Sequence, residues 1–175
     1  MSTLTVVAQL MEIAARTAPK ARGQDFIVTS ILEGDALKPL VDKMAEIGER
    51  TARPFFVRDS RIVAASEVVV LIGIKDAQKA SLNCGACGVP TCADLSTNSH
   101  SGEFAGPQCA FRVLDLGIAI GSAAKTASLF NADNRIMYTI GAAARELGII
   151  DADFVMGIPL SATGKSIYYD RPAVT

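Results

Sequence analysis

Residues 67–74 read EVVVLIGI, an unbroken apolar run behind one glutamate. The run has the length of a strand. Continuous rather than alternating hydrophobicity marks a strand that is covered on both faces. It therefore belongs at the centre of a sheet. Two further strands are expected: residues 25–32, DFIVTSIL, which are short and β-branched, and residues 152–160, ADFVMGIPL.

Helices fill most of the remainder. Leu4, Val7, Ala8, Met11, Ala14 and Ala15 recur at helical spacing over residues 4–17, until Pro19 and Gly23 break the pattern. Residues 34–51 predict a second helix, with Asp35 as N-cap and Leu37, Leu40, Val41, Met44 and Ile47 on one face. That cap puts Pro39 in the first turn, the part of a helix that tolerates proline. Residues 58–66 predict a short helix. Residues 110–130, AFRVLDLGIAIGSAAKTASLF, are nearly all apolar and predict a long helix buried on most sides. Residues 134–148 predict a last helix, capped by Asp133 or Asn134 and stopped by Gly148. The resulting fold class is α+β or α/β, a layered sandwich within one domain spanning residues 1–175, with a cysteine-rich insert at 82–109.

Composition narrows the function. Half of the 175 residues are hydrophobic, enough for a sizeable core. Lys and Arg number 17 against 18 Asp and Glu, so a nucleic-acid partner held by phosphate neutralisation is not expected. The start of the chain lacks the basic lead of a signal peptide. The most apolar segments carry Glu67, or Asp115 and Lys125, which speaks against a membrane span. A cytoplasmic protein is expected, where thiols stay reduced.

All four cysteines fall in one 26-residue window, as Cys84-x2-Cys87-x4-Cys92-x16-Cys109. Four thiolates suit an iron–sulfur cluster or tetrahedral zinc. Zinc sites are usually built from two paired knuckles, whereas the split here is three plus one. Spacing and compartment favour a cluster; structural zinc and two disulfides are the alternatives. Gly85 and Gly88 follow the first two cysteines. Glycine allows a positive φ, which turns backbone N–H groups toward sulfur. Pro90 and Pro107 stiffen the loop.

The stretch CGACGVPTC, followed by Gly102-Glu103 and Cys109, resembles the four-cysteine [4Fe–4S] module of anaerobic electron-transport ferredoxin subunits and corrinoid iron–sulfur proteins. The resemblance covers residues 84–109 and implies that Cys84, Cys87, Cys92 and Cys109 ligate one [4Fe–4S] cluster. That module usually continues with a proline–glycine turn, whereas AFRVLDLG here runs straight into a helix. Over its whole length the chain resembles the uncharacterised bacterial and archaeal ferredoxin-domain proteins, through DNRIMYTIGAAARELG and GIPLSATGKSIYYDR.

A further likeness is to nitroreductases. AARTAPKARGQDFIVTSI is similar to their first FMN-binding turn, and DFVMGIPLSATGKSIYYDR to their final strand, turn and basic tail. This resemblance implies a nitroreductase-like sandwich, FMN with its phosphate held by Arg16, Lys20 and Arg22 and by Lys165 or Arg171, and a homodimer with flavin at the subunit interface. The chain departs from that pattern at NADNRIMYTIG, where nitroreductases often have a glycine-rich segment.

The combined expectation is an iron–sulfur redox protein that exchanges electrons with a partner protein or a small-molecule acceptor. A zinc module and a non-catalytic sensor or accessory subunit are the rivals. His100, the sole histidine, is expected to be an exposed loop residue. The Gly-Lys-Ser of SATGKS lacks the upstream glycine of a phosphate loop. Tyr168 and Tyr169 are expected in packing or at an interface.

Overall fold

The computed structural model describes residues 2–169. Helix α1 (Thr3–Thr17) leads into strand β1 (Ile27–Glu33), then α2 (Leu37–Arg50), α3 (Pro54–Ala64) and β2 (Val68–Ile74). The cysteine segment follows and contains a minimal hairpin, β3 (His100–Ser101) and β4 (Ala105–Gly106). The chain ends with α4 (Ala110–Leu129), β5 (Asp133–Asn134), α5 (Tyr138–Glu146) and β6 (Phe154–Ser161).

The main sheet has the order β1-β2-β6-β5, and every pairing is antiparallel. β2 is buried at all seven positions, as its apolar run requires. Its residues alternate between two cores. Val68, Val70, Ile72 and Ile74 meet α1 and α4 through Val7, Met11, Leu116 and Ala119. Val69 and Leu71 meet α2, α3 and α5 through Leu40, Met44, Phe56 and Ile140. The fold is therefore α+β: helices cover both faces of an antiparallel sheet.

Local chemistry sets several boundaries. Pro54 opens α3 at a position where its missing N–H costs nothing. α5 ends in a Schellman turn: Gly148, at φ +68°, and Ile149 donate their N–H groups to the Arg145 and Ala144 carbonyls. α5 also lies very close to β6. A Cβ on Gly141 would stand 1.9 Å from the Val155 carbonyl oxygen, and one on Gly157 would stand 2.0 Å from Ile140 Cγ2.

Three expectations need correction. Asp133 and Asn134 do not cap a helix; they pair with Ser161 and Leu160 as an edge strand, and Met137 bridges to Gly157 before α5 begins. Sheet pairing overrides weak local preference here. Asp35 is not a side-chain cap either: it lies in a short helical turn, and α2 starts after Ala36 with Pro39 in its first turn. α4 is not buried on most sides. Arg112, Asp115, Leu116, Ala119, Ala123 and Ala127 face inward, while Val113, Leu114, Ile118 and Leu129 face outward.

Candidate metal centre

The cysteine loop leaves the sheet at Ile74 and returns at α4, so both of its ends are anchored on the core. Cys84, Cys87, Cys92 and Cys109 line one small cavity of about 10 Å³, partly open to solvent. Ala80, Leu82, Val89, Leu95 and Phe111 supply its apolar wall. All four thiols are free; Cys84 is exposed and Cys109 is buried. Gly85 and Gly88 adopt φ +72° and +80°, the left-handed backbone expected after the first two cysteines.

Backbone donors converge on the sulfurs. The Asn83 N–H donates to Cys92 Sγ at 3.3 Å, and the Ala110 N–H donates to Cys87 Sγ at 3.2 Å. The Cys92 N–H in turn donates to Asn83 Oδ1 at 2.8 Å, which locks Asn83 and Cys92 together. Thr91 and Asp94 close a reciprocal cap around the turn that carries Cys92. Cys109 is the N-cap of α4, so a negative sulfur there meets the positive end of a twenty-residue helix. Burial pushes the Cys109 thiol up, but the N–H groups of Ala80, Phe111 and Arg112 and the Cys87 thiol outweigh it, leaving Cys109 below the ordinary cysteine range.

The donor set is all sulfur and is arranged for negative charge. Zinc–sulfur bonds of about 2.3 Å would gather tetrahedral sulfurs to about 3.8 Å from one another. Among the described residues no three His, Cys, Asp or Glu side chains form such a single-ion group. Four thiolates remain the donor set of either tetrahedral zinc or an iron–sulfur cluster.

Two charged groups to which the sequence reading gave no part in the loop hold it in place. Arg112 is fully buried and Asp115 nearly so, and they pair at 3.0 Å on α4. The signal was present: two opposite charges at i,i+3 in an otherwise apolar helix. At the β3–β4 hairpin, Arg145 donates to the Gly102 and Glu103 carbonyls and to Ser101 Oγ. Arg53 lies over the Phe56 ring at 4.5 Å and donates to Tyr138 Oη and Glu103, and the Tyr138 hydroxyl also donates to Glu103.

Glu103 links this hairpin to pH. The Arg53 hydrogen bond, working against partial burial and helped by Tyr138, holds its carboxyl below the usual range. A depressed folded pKa gives stability that is complete above the unfolded value of about 4.3 and is lost as pH falls through the folded value. Glu103→Gln is expected to cost up to about 1 kcal/mol at pH 7, since the side chain is 37% exposed. It should also flatten the acid limb of the stability profile. Urea unfolding across pH 2–7 measures both effects, and a limb as steep as wild type would contradict the anchor.

The flavin candidates fall in two places. Arg16, Lys20 and Arg22 follow one another at the end of α1 and in the turn before β1. Arg16 pairs with Asp25 at 2.7 Å and remains half exposed. Lys20 Nζ donates to the carbonyls of Ala15, Arg16 and Ala18, closing the C-terminus of α1. Arg22, at φ +58°, donates to the Ala80 carbonyl at 3.0 Å. Lys165 is exposed beyond β6. Ile27 pairs with Ile74 and Ile74 with Phe154, so the basic turn sits beside the start of β6. Lys165 leaves from the other end of β6, about 20 Å away at strand rise. Arg171 lies outside the described residues.

His100 is exposed in β3. Tyr168 is buried, with its hydroxyl 3.1 Å from Ser66 Oγ, whereas Tyr169 is exposed with Arg135 over its ring. Among the described residues no helix is long and apolar enough to cross a membrane.

Comparison with known proteins agrees with this architecture. Residues 105–171 match the family described as uncharacterized proteins containing a ferredoxin domain. An uncharacterized protein of Archaeoglobus fulgidus is 46% identical over 167 residues, covering 95% of this chain and 90% of its own length. Among solved structures, nitroreductase CinD from Lactococcus lactis in complex with chloramphenicol has a TM-score of 0.63 at 15% identity, covering all of this chain and 84% of that one. A nitroreductase with bound FMN from Desulfitobacterium hafniense has a TM-score of 0.60 at 14% identity, with the same coverage. The fold is thus nitroreductase-like.

Proposed function

We propose that this chain, which belongs to the family of uncharacterized proteins containing a ferredoxin domain, is a redox protein holding one [4Fe–4S] cluster on Cys84, Cys87, Cys92 and Cys109. One observation carries the reading: all four thiols line a single cavity beside backbone N–H donors aimed at sulfur. Bound there, such a cluster would accept and release single electrons at a potential set by its hydrogen bonds and exposure. The chain's own part is to hold and shield it. Leu95, Val89 and Phe111 exclude water on the inner side, while exposed Cys84 and Leu82 leave an outer side open to a redox partner or small acceptor.

A second component, FMN bound between two copies, is supported by the nitroreductase-like fold. Flavin can combine single-electron steps into two-electron chemistry. Arg16 of one copy and Lys165 of another would meet its phosphate, because a single copy holds them at opposite ends of the sheet. The outward face of α4 offers the contact between copies: Leu114 is 58% and Leu129 70% exposed.

The test is the absorption spectrum and solution mass of protein purified without oxygen. A broad visible band that bleaches on reduction supports the cluster, flavin released on denaturation supports FMN, and a dimeric mass supports the paired copies. A colourless protein carrying zinc would overturn the redox reading. A labile cluster with no flavin, and partner binding lost on oxidation, would favour a sensor.

A further inference from the structure

We infer that Arg22 and Arg112 are positioning residues for the cysteine centre: they clamp residues 78–80 against Cys109 and thereby help set its reduction potential. The inference rests on the cluster reading above and assigns Arg22 to the cluster wall rather than to a flavin phosphate.

Arg112 lies three residues after Cys109 and is fully buried. A buried guanidinium persists only where its charge and donors are satisfied. Its Nε donates to the Gln78 carbonyl at 2.7 Å, and its Nη1 donates to the Ala21 carbonyl and to Asp115, each at 3.0 Å. Its Nη2 donates to the Gln24 side chain, and the guanidinium covers the Phe26 ring at 4.8 Å. Asp115 in turn accepts from the Ala21 N–H at 2.7 Å. One side chain thus ties together the turn after α1, the lead into the cysteine loop, and α4.

Arg22 adds the second jaw by donating to the Ala80 carbonyl. Ala80 is buried, lines the cysteine cavity and packs with Cys109. Three residues on, the Asn83 N–H donates to Cys92 Sγ at 3.3 Å. Just beyond Ala80, Ser81 takes a positive φ of 54°. That backbone is unfavourable for side-chain-bearing residues and persists only when its surroundings fix it. Two arginines gripping the Gln78 and Ala80 carbonyls provide the fixing. Donors held on cluster sulfur stabilise the more negative, reduced form and raise the potential.

The experiment compares wild type, Arg22→Asn and Arg112→Lys after anaerobic reconstitution. Asparagine tolerates the left-handed φ at position 22, so that variant keeps the fold even if Arg112→Lys does not. Iron per chain, thermal midpoint and reduction potential are measured together. Arg22→Asn is expected to keep its iron and thermal midpoint while its potential moves to more negative values. Arg112→Lys, which loses the planar fork, is expected to shift further in the same direction. Potentials equal to wild type in cluster-loaded Arg22→Asn would overturn the clamp and leave the cluster reading standing. A wild type that binds no iron would overturn both.

Discussion

Cys109→Ser is expected to remove the visible band and deplete iron by more than the roughly 10–100-fold typical of outer-shell changes at metal sites. Cys109 is the remote fourth ligand of the proposed set and the most buried, at 3% exposure. It sits at the N-terminus of α4. Serine keeps the shape but offers a harder, more basic oxygen that remains protonated at neutral pH. Metal binding also supplies ordering free energy to the loop that carries the ligands. The loop should therefore become protease-sensitive. The sheet should survive, because its two main cores contain none of the cysteines. Iron analysis, limited proteolysis and circular dichroism read the three effects. A variant with wild-type iron would remove Cys109 from the ligand set.

Gly141→Ala is expected to destabilise the fold by about 3 kcal/mol or more, at or beyond the upper end of ordinary overpacking. The added methyl would stand 1.9 Å from the Val155 oxygen, 2.7 Å from its carbon and 3.1 Å from Met156 Cα. These are backbone atoms of β6, a strand paired on both sides, so they cannot swing away as a flexible side-chain end could. Alanine's helix preference over glycine, about 1 kcal/mol, recovers only part of the loss. Denaturant unfolding measures the difference. A variant as stable as wild type would mean that α5 sits further from β6 than described.

The sequence showed where the core lies because hydrophobic pattern is local. EVVVLIGI identified the central strand, and Cys84-x2-Cys87-x4-Cys92 marked the candidate site, whose thiols line one cavity with Cys109. Gly85 and Gly88 announced their positive φ by residue type. What escaped depended on distant partners. Asp133 and Asn134 read as helix caps because β6, which recruits them, lies more than twenty residues later. α4 read as buried on most sides because its pattern cannot distinguish a face packed on α1 from one left to solvent. Arg112 received no role from the sequence, and Asp115 counted there only as a charge against a membrane span. Their role depends on the carbonyls of Ala21 and Gln78, which only the fold brings within reach. Lys20 looked like a phosphate ligand, yet its ammonium caps the helix just before it. A basic residue after a helix fits either role by sequence alone.

Elemental analysis of protein purified without oxygen tests the central claim most directly. One [4Fe–4S] centre on the four cysteines predicts iron and acid-labile sulfide in equal amounts, about four of each per chain. About one zinc per chain with no sulfide, or full-length reduced protein that takes up neither metal, would contradict it.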